Sequence, residues 1–307
     1  MDRQKTKNGM LGAEVRTDLA LEAGERLQND NAVPEGLRVE KLPCEDGAAV
    51  ITRVHVESGE AARRMRKPIG TYITIEASAL AGEDEGYHGK ISELLSRQIR
   101  ELLPKGEQRE LLAVGLGNRA VTADALGPKT IDHLAVNRHI LPFYREETRK
   151  KTFTVLSAIE PGVMAKTGIE TAQVVQSIVR SLKPDAVLVL DSLAARSIHR
   201  LYTTIQISNT GIAPGSGVGN HRNAIDCETL GVPVIAVGIP MVVDAATIVR
   251  DALGDSRRQP VEQTEKKAAA YLEKLQNMYV TTKEIDEMTE RLSFTLSEAI
   301  NALTKRE

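Results

Sequence analysis

Tryptophan is absent and phenylalanine occurs three times, so aromatic residues make up only 3% of the chain. That scarcity excludes the aromatic platforms on which single-stranded nucleic acids stack. Excess charge of either sign is also missing. The formal net charge of −2 over 307 residues gives no global pull toward nucleic acid or an anionic membrane. No run approaches eighteen apolar residues, which argues against a transmembrane helix. The opening MDRQKTKNGMLGAEVR lacks the apolar stretch of a secretory signal, so export is not expected. Cys44 and Cys227 are far apart and lack metal-site spacing, which suits a reducing, cytoplasmic compartment.

Familiar catalytic and cofactor signatures are lacking too. The six histidines form no HExxH or HxH pairing, and His133 and His139 stand six apart on differing faces of a helical pattern. There is no GxSxG elbow; Gly215-Ser216-Gly217 has a different spacing, and neither cysteine has a supporting motif. Gly115 and Gly117 do not complete GxGxxG, because position 120 is Ala, and no Gly-rich stretch ends in the Lys-Ser/Thr of a phosphate-binding loop. Neither a cofactor nor a bound metal is expected.

What is present is a 41% hydrophobic chain, enough for one large core. Residues 1–18 carry no sustained apolar periodicity and are expected to form a flexible arm. AVITRVHV and TYITIEAS (49–56 and 71–78) read as strands, the second alternating as a half-buried strand does. ESGEAARRMRKP (57–68), between them, reads as a charged surface excursion. YHGKISELLSRQIRELLP places Ile91, Leu94, Leu95, Ile99 and Leu102 on one helical face, and Pro104 ends it. Thereafter short apolar runs alternate with helical patterns: LLAVGLG with PKTIDHLAVNR, FTVLSAI with IETAQVVQSIVRSLK, AVLVL with LAARSIHRLY, VPVIAVG with VVDAATIVRDAL. Continuous runs such as AVLVL fit strands buried on both faces. The alternation predicts an open, doubly wound, mostly parallel α/β sheet with helices on both faces. Two helices, EQTEKKAAAYLEKLQNM and TKEIDEMTERLSFTLSEAINALT, close the chain.

In such sheets ligands bind at the loops leaving the carboxyl ends of strands. Asp191 follows VLVL directly, and Asp124 lies after the LLAVGLG strand, with Pro128 suited to the first helical position. Both acids are therefore expected at one edge of one sheet. On pattern alone each fits a helix cap as well as a catalyst. The segment ISNTGIAPGSGVGNHR carries Gly211, Gly215, Gly217 and Gly219, a density that brings backbone close to a ligand or aims N–H groups at an anion.

Five stretches carry a resemblance: VRTDLALE (15–22), GLGNRAVTADALGP (115–128), VLVLDSLAARS (187–197), ISNTGIAPGSGVGNHR (207–222) and GVPVIAVGIPMVVDAATI (231–248). Together they resemble the germination proteases of endospore-forming bacteria over nearly the whole chain. The resemblance implies an endopeptidase that degrades small acid-soluble, DNA-protecting spore proteins, made as an inactive homotetrameric zymogen in the forespore or spore core. It implies two essential aspartates, at Asp124 and Asp191, with no metal. It implies self-cleavage between Asp18 and Leu19, because Thr17 to Glu22 is similar to the substrate motif; residues 1–18 are then a propeptide and 19–307 a single protease domain. It also implies a fold similar to that of hydrogenase maturation proteases. Two neighbouring carboxyls do not both ionise readily, so one activates water while the other, protonated, donates to the scissile carbonyl. Which does which is open, because such a pair titrates jointly. The Gly-rich loop would hold the substrate strand or the oxyanion. Two other functions compete: a metal-dependent maturation-type protease and a non-catalytic anion-binding module.

Overall fold

The apolar runs pair into a single mixed sheet, and the helical patterns between them cover its two faces. The computed structural model describes residues 17–44, 47–82, 85–106, 109–143, 154–213, 223–249, 275 and 278–304. Its strands are β1 (Leu37–Pro43), β2 (Val50–Val56), β3 (Gly70–Glu76), β4 (Arg109–Gly115), β5 (Thr154–Ile159), β6 (Ala186–Ala195), β7 (Thr204–Ser208), β8 (Val234–Asp244) and β9 (Tyr279–Val280). The longer helices are α1 (Ala20–Asn29), α2 (Gly59–Met65), α3 (His88–Leu102), α4 (Leu126–Asp132), α5 (Thr171–Leu182) and α6 (Ile285–Leu303).

The strand order is β1-β2-β3-β7-β8-β6-β4-β5, with β9 on β8. Strands β5, β4, β6 and β8 run parallel, whereas β1, β2, β3 and β7 form an antiparallel half joined to β8. This corrects the mostly parallel sheet expected from the alternation. The links between β1 and β2, and between β6 and β7, are too short for a crossover, so those strands must return antiparallel.

One face is the main core. Ile73, Ile75, Leu188, Leu190, Ile205, Ile207, Ile235 and Val237 pack there against Ile91, Leu95 and Ile99 of α3, Leu126 of α4 and Leu292, Leu296 and Ile300 of α6. Leu94 and Leu102 pack at its margin, so the whole apolar stripe read for α3 faces this core. The opposite face is split. Val187 and Val189 meet Val175 and Val179 of α5. Val54, Val56 and Tyr72 meet Ala20, Ala23 and Leu27 of α1 and Ala61 and Met65 of α2. Between these clusters run β8 and β7, and side-chain alternation puts Gly238 and Gln206 on this face.

Three local readings change. The charged excursion contains α2, whose N-cap Ser58 accepts the Ala61 N–H at 3.0 Å. LAARS does not begin a helix: β6 runs on, with Ala194 and Ala195 paired to Val242 and Val243 of a β8 that continues to Asp244. Pro128 is the third residue of α4, not the first. The expected helix EQTEKKAAAYLEKLQNM falls almost wholly outside the described residues, whereas its successor is α6.

Candidate active site

Asp191 is the sixth residue of β6, so it stands inside a strand where a strand end was expected. It is nonetheless at an edge. The last pairing of β4 with β6 is Gly115 with Leu190, and Leu116 N–H closes that ladder on Leu190 O at 2.8 Å. Among the described residues no strand pairs with β6 on its β4 side from Asp191 onward, and the turn of the β4–α4 loop packs against β6. Asp191 is buried, and its Oδ1 accepts the Ser192 N–H at 2.9 Å.

Asp124 ends a single 3-10 turn, Thr122–Asp124, in that loop, and the turn packs on β6 and β8. Asp124 is half-buried. Its carbonyl accepts the Asn118 N–H at 2.9 Å, which folds the loop back on itself. Gly117 makes this possible: its φ is +115°, and a Cβ there would sit 1.9 Å from Asp124 O and 3.2 Å from Asp124 Oδ1. Arg119 fastens the same loop outward, donating to Pro128 O at 3.0 Å and to the carboxylates of Asp132 and Glu160. The Arg119 hydrogen bond holds the Asp132 carboxyl below its ordinary value, and the two acids push the guanidinium higher still.

The substrate-like segment Thr17 to Glu22 reaches the same strand. Asp18 N–H donates to Ala194 O at 2.9 Å, and Ala194 N–H donates to Asp18 Oδ2 at 2.8 Å. Leu19 is fully buried. The carbonyl of Asp18 accepts from Lys67 Nζ at 2.8 Å and from Gln206 Nε2 at 3.0 Å. Gln206 Oε1 accepts the Ala20 N–H at 2.7 Å. The Glu22 carboxylate accepts the backbone N–H groups of Arg196 and Ser197 at 2.8 and 3.0 Å and the Thr17 hydroxyl. It also faces Arg200, which pairs with Glu25 and Glu76 as well. Lys67 is half-buried as a residue, but its ammonium end is enclosed. Burial pulls its pKa down, against the attraction of Asp18 and Glu22.

Neither Lys67 nor Gln206 was singled out from sequence. Lys67 sits in the charged excursion, where a basic residue carries no signal. Gln206 interrupts TTIQIS, and a polar residue at alternate spacing in an apolar run was the available clue. Of the Gly-rich loop, Gly211 is described: it is half-buried just beyond β7. Ile212 and Ile225 then pair through both backbone groups, at 3.0 and 2.8 Å, and Asn223 N–H reaches Glu170 Oε1 at 3.4 Å beside the start of α5. Gly215, Gly217 and Gly219 lie outside the described residues. Among the described residues, no group of three His, Cys, Asp or Glu side chains is placed to hold a metal ion, and no helix is long and apolar enough to cross a membrane.

Residues 14–256 match a protein family described as "Germination protease". A germination protease of Caldanaerobacter subterraneus subsp. tengcongensis is 41% identical over 310 residues, covering 94% of this chain and 93% of its own length. One from Clostridium perfringens strain 13 is 39% identical, with 94% of each chain covered. One from Bacillus pumilus is 42% identical over 259 residues, covering 81% of this chain and 69% of the relative.

Proposed function

We propose a function on one premise: this chain belongs to the germination protease family. It is a peptidase of spore germination. In our reading its catalytic groups are Asp124 and Asp191, acting without a metal or cofactor. The ionised carboxylate takes a proton from water, and the protonated one donates to the scissile carbonyl. The observation that carries this reading is the end of β4. Past Gly115 the edge of β6 is given over to the loop bearing Asp124, so an acid from each of two adjacent parallel strands arrives at one carboxyl edge. That is where open α/β sheets bind their ligands.

The substrates are small acid-soluble spore proteins, and the protease is a homotetramer of the forespore or spore core. Residues 1–18 are a propeptide removed by self-cleavage after Asp18, leaving a single domain of residues 19–307. The docking of Thr17 to Glu22 along the end of β6 supports the last point, since a substrate-like segment already lies on the strand that carries Asp191.

The test is substitution of each acid. Asp124→Asn and Asp191→Asn should each abolish cleavage of a peptide containing Thr-Glu-Ile-Ala-Ser-Glu while circular dichroism and native mass stay unchanged. The double variant should be no worse than either single, because groups that act as a unit are not additive. Substantial activity in either single variant would refute the two-aspartate mechanism.

A further inference from the structure

We propose that Lys67 and Gln206 are catalytic groups that hold the carbonyl oxygen of the Asp18–Leu19 bond and stabilise the negative charge it gains during self-cleavage. The inference rests on the reading that self-cleavage falls at this bond. The carbonyl of Asp18 has two side-chain donors, at 2.8 and 3.0 Å, and one of them is an ammonium. Two donors at about 2.7–3.1 Å from the position an oxyanion takes up lower the barrier to a tetrahedral intermediate, and these two already reach the oxygen that would move there.

Gln206 grips the bond on both sides. Its Nε2 donates to the carbonyl before the bond, and its Oε1 accepts the N–H of Ala20 after it. The two contacts fix which way the amide points, because only Nε2 can donate and only Oε1 can accept. The acid before the bond is held separately, by Ala194 N–H. Holding a loop carbonyl requires no charge, and enclosing an ammonium is unfavourable. A cation aimed at this oxygen gains most when the oxygen becomes negative, which is the condition for accelerating chemistry over merely binding.

The sheet places Gln206 on the same face as the proposed acid Asp191. Asp191 and Gln206 both register with Gly238, from opposite sides of β8. All three belong to the face opposite the main core, so the two side chains share a face two strand spacings apart, about 10 Å between backbones. Position 238 itself carries no side chain, and the space a Cβ would take there is filled by Leu193, whose Cγ would lie 2.6 Å away. Water adds to the carbonyl carbon of Asp18 and passes its proton to the ionised aspartate. At this bond Lys67 and Gln206 take the place of the protonated acid at the oxygen, which carries its charge against them; the C–N bond breaks, and the aspartate returns the proton to the Leu19 nitrogen. The products are the Asp18 carboxylate and a new Leu19 amino terminus.

The experiment uses the full-length chain and follows loss of residues 1–18 by intact mass and N-terminal sequencing. Lys67→Met keeps the apolar stem and removes the charge. Gln206→Glu keeps the acceptor for Ala20 and removes the donor to Asp18. Each should slow processing about 10²–10³-fold without moving the cut, and Lys67→Arg should recover at least about tenfold over Lys67→Met, since a guanidinium still donates with charge. Should Lys67→Met fail to fold, Gln206→Glu decides. Wild-type processing after Asp18 with both variants within about threefold of its rate overturns the role of these residues and leaves the cleavage reading standing. Wild type that keeps residues 1–18, or is cut elsewhere, overturns both.

Discussion

Gly117→Ala tests whether the position of Asp124 matters, without touching an acid. The glycine has φ +115°, a region that side chains other than glycine rarely enter, and the strain alone is about 1–3 kcal/mol. The larger effect is steric. The new Cβ would stand 1.9 Å from the Asp124 carbonyl oxygen, so that oxygen must retreat by roughly 1.5 Å before any ordinary contact is restored. It cannot retreat freely, because it accepts the Asn118 N–H and Arg119 clamps the loop from outside. Displacing a reacting group by about 1 Å lowers activity about 10²-fold. A matched control exists in Gly168, with φ +69° and nothing within 4 Å of its Cβ position. Gly168→Ala should lose about 1 kcal/mol of stability and keep its activity. The assay is kcat/KM on a Thr-Glu-Ile-Ala-Ser-Glu peptide, with urea unfolding of both variants in parallel. Gly117→Ala within about threefold of wild-type kcat/KM would refute the assignment of Asp124 to the reacting site.

Two further outcomes follow from the same geometry. A chain beginning at Leu19, digested with a spore-protein mixture and analysed by mass spectrometry, should cut after an acid and before a medium-large apolar residue, as at Asp18-Leu19; cuts scattered without regard to acids would contradict the substrate reading. Burial lowers the Lys67 pKa below 10.5, outweighing the attraction of Asp18 and Glu22. In the window just below 10.5 the unfolded chain therefore binds the extra proton, and stability rises with pH there. Lys67→Met should flatten that rise in urea melts taken across the window, and an unchanged slope would show that Lys67 is not enclosed in solution.

Much of the parallel half was legible because its signals are local. The AVLVL and VIAVG runs are long enough and apolar enough to be strands buried on both faces. The stripe Ile91, Leu94, Leu95, Ile99 and Leu102 specifies α3 by its 3.6-residue period alone. Asp124 was readable as a loop residue before a helix from the glycines and proline around it. The antiparallel half was less legible. β1 mixes charged residues into its run, β7 is short with polar residues on one side, and α1 begins inside a motif read for its resemblance to substrate. The end of β6 was misread as a helix because Leu193-Ala194-Ala195-Arg196 are good helix formers; pairing with β8 overrode that preference. The helix read after β8 does form, but it starts at Ala245, after a strand that runs on to Asp244.

Composition, periodicity and turn chemistry by themselves determined an α/β chain with two acids after apolar runs and a substrate-like stretch near its start, because each of these depends on neighbours within about ten residues. Register lies beyond that reach. Nothing near Gln206 in the chain announces Asp191 or Asp18; Gln206 shares a sheet face with Asp191 because β6 and β7 both register with Gly238 on β8, and it meets Asp18 because α1 packs on that face. A one-residue slip of β7 would turn Gln206 into the main core and leave the Asp18 carbonyl without one of its two side-chain donors. Only the tertiary structure decided that alignment, since it follows from burying both faces of the sheet at once.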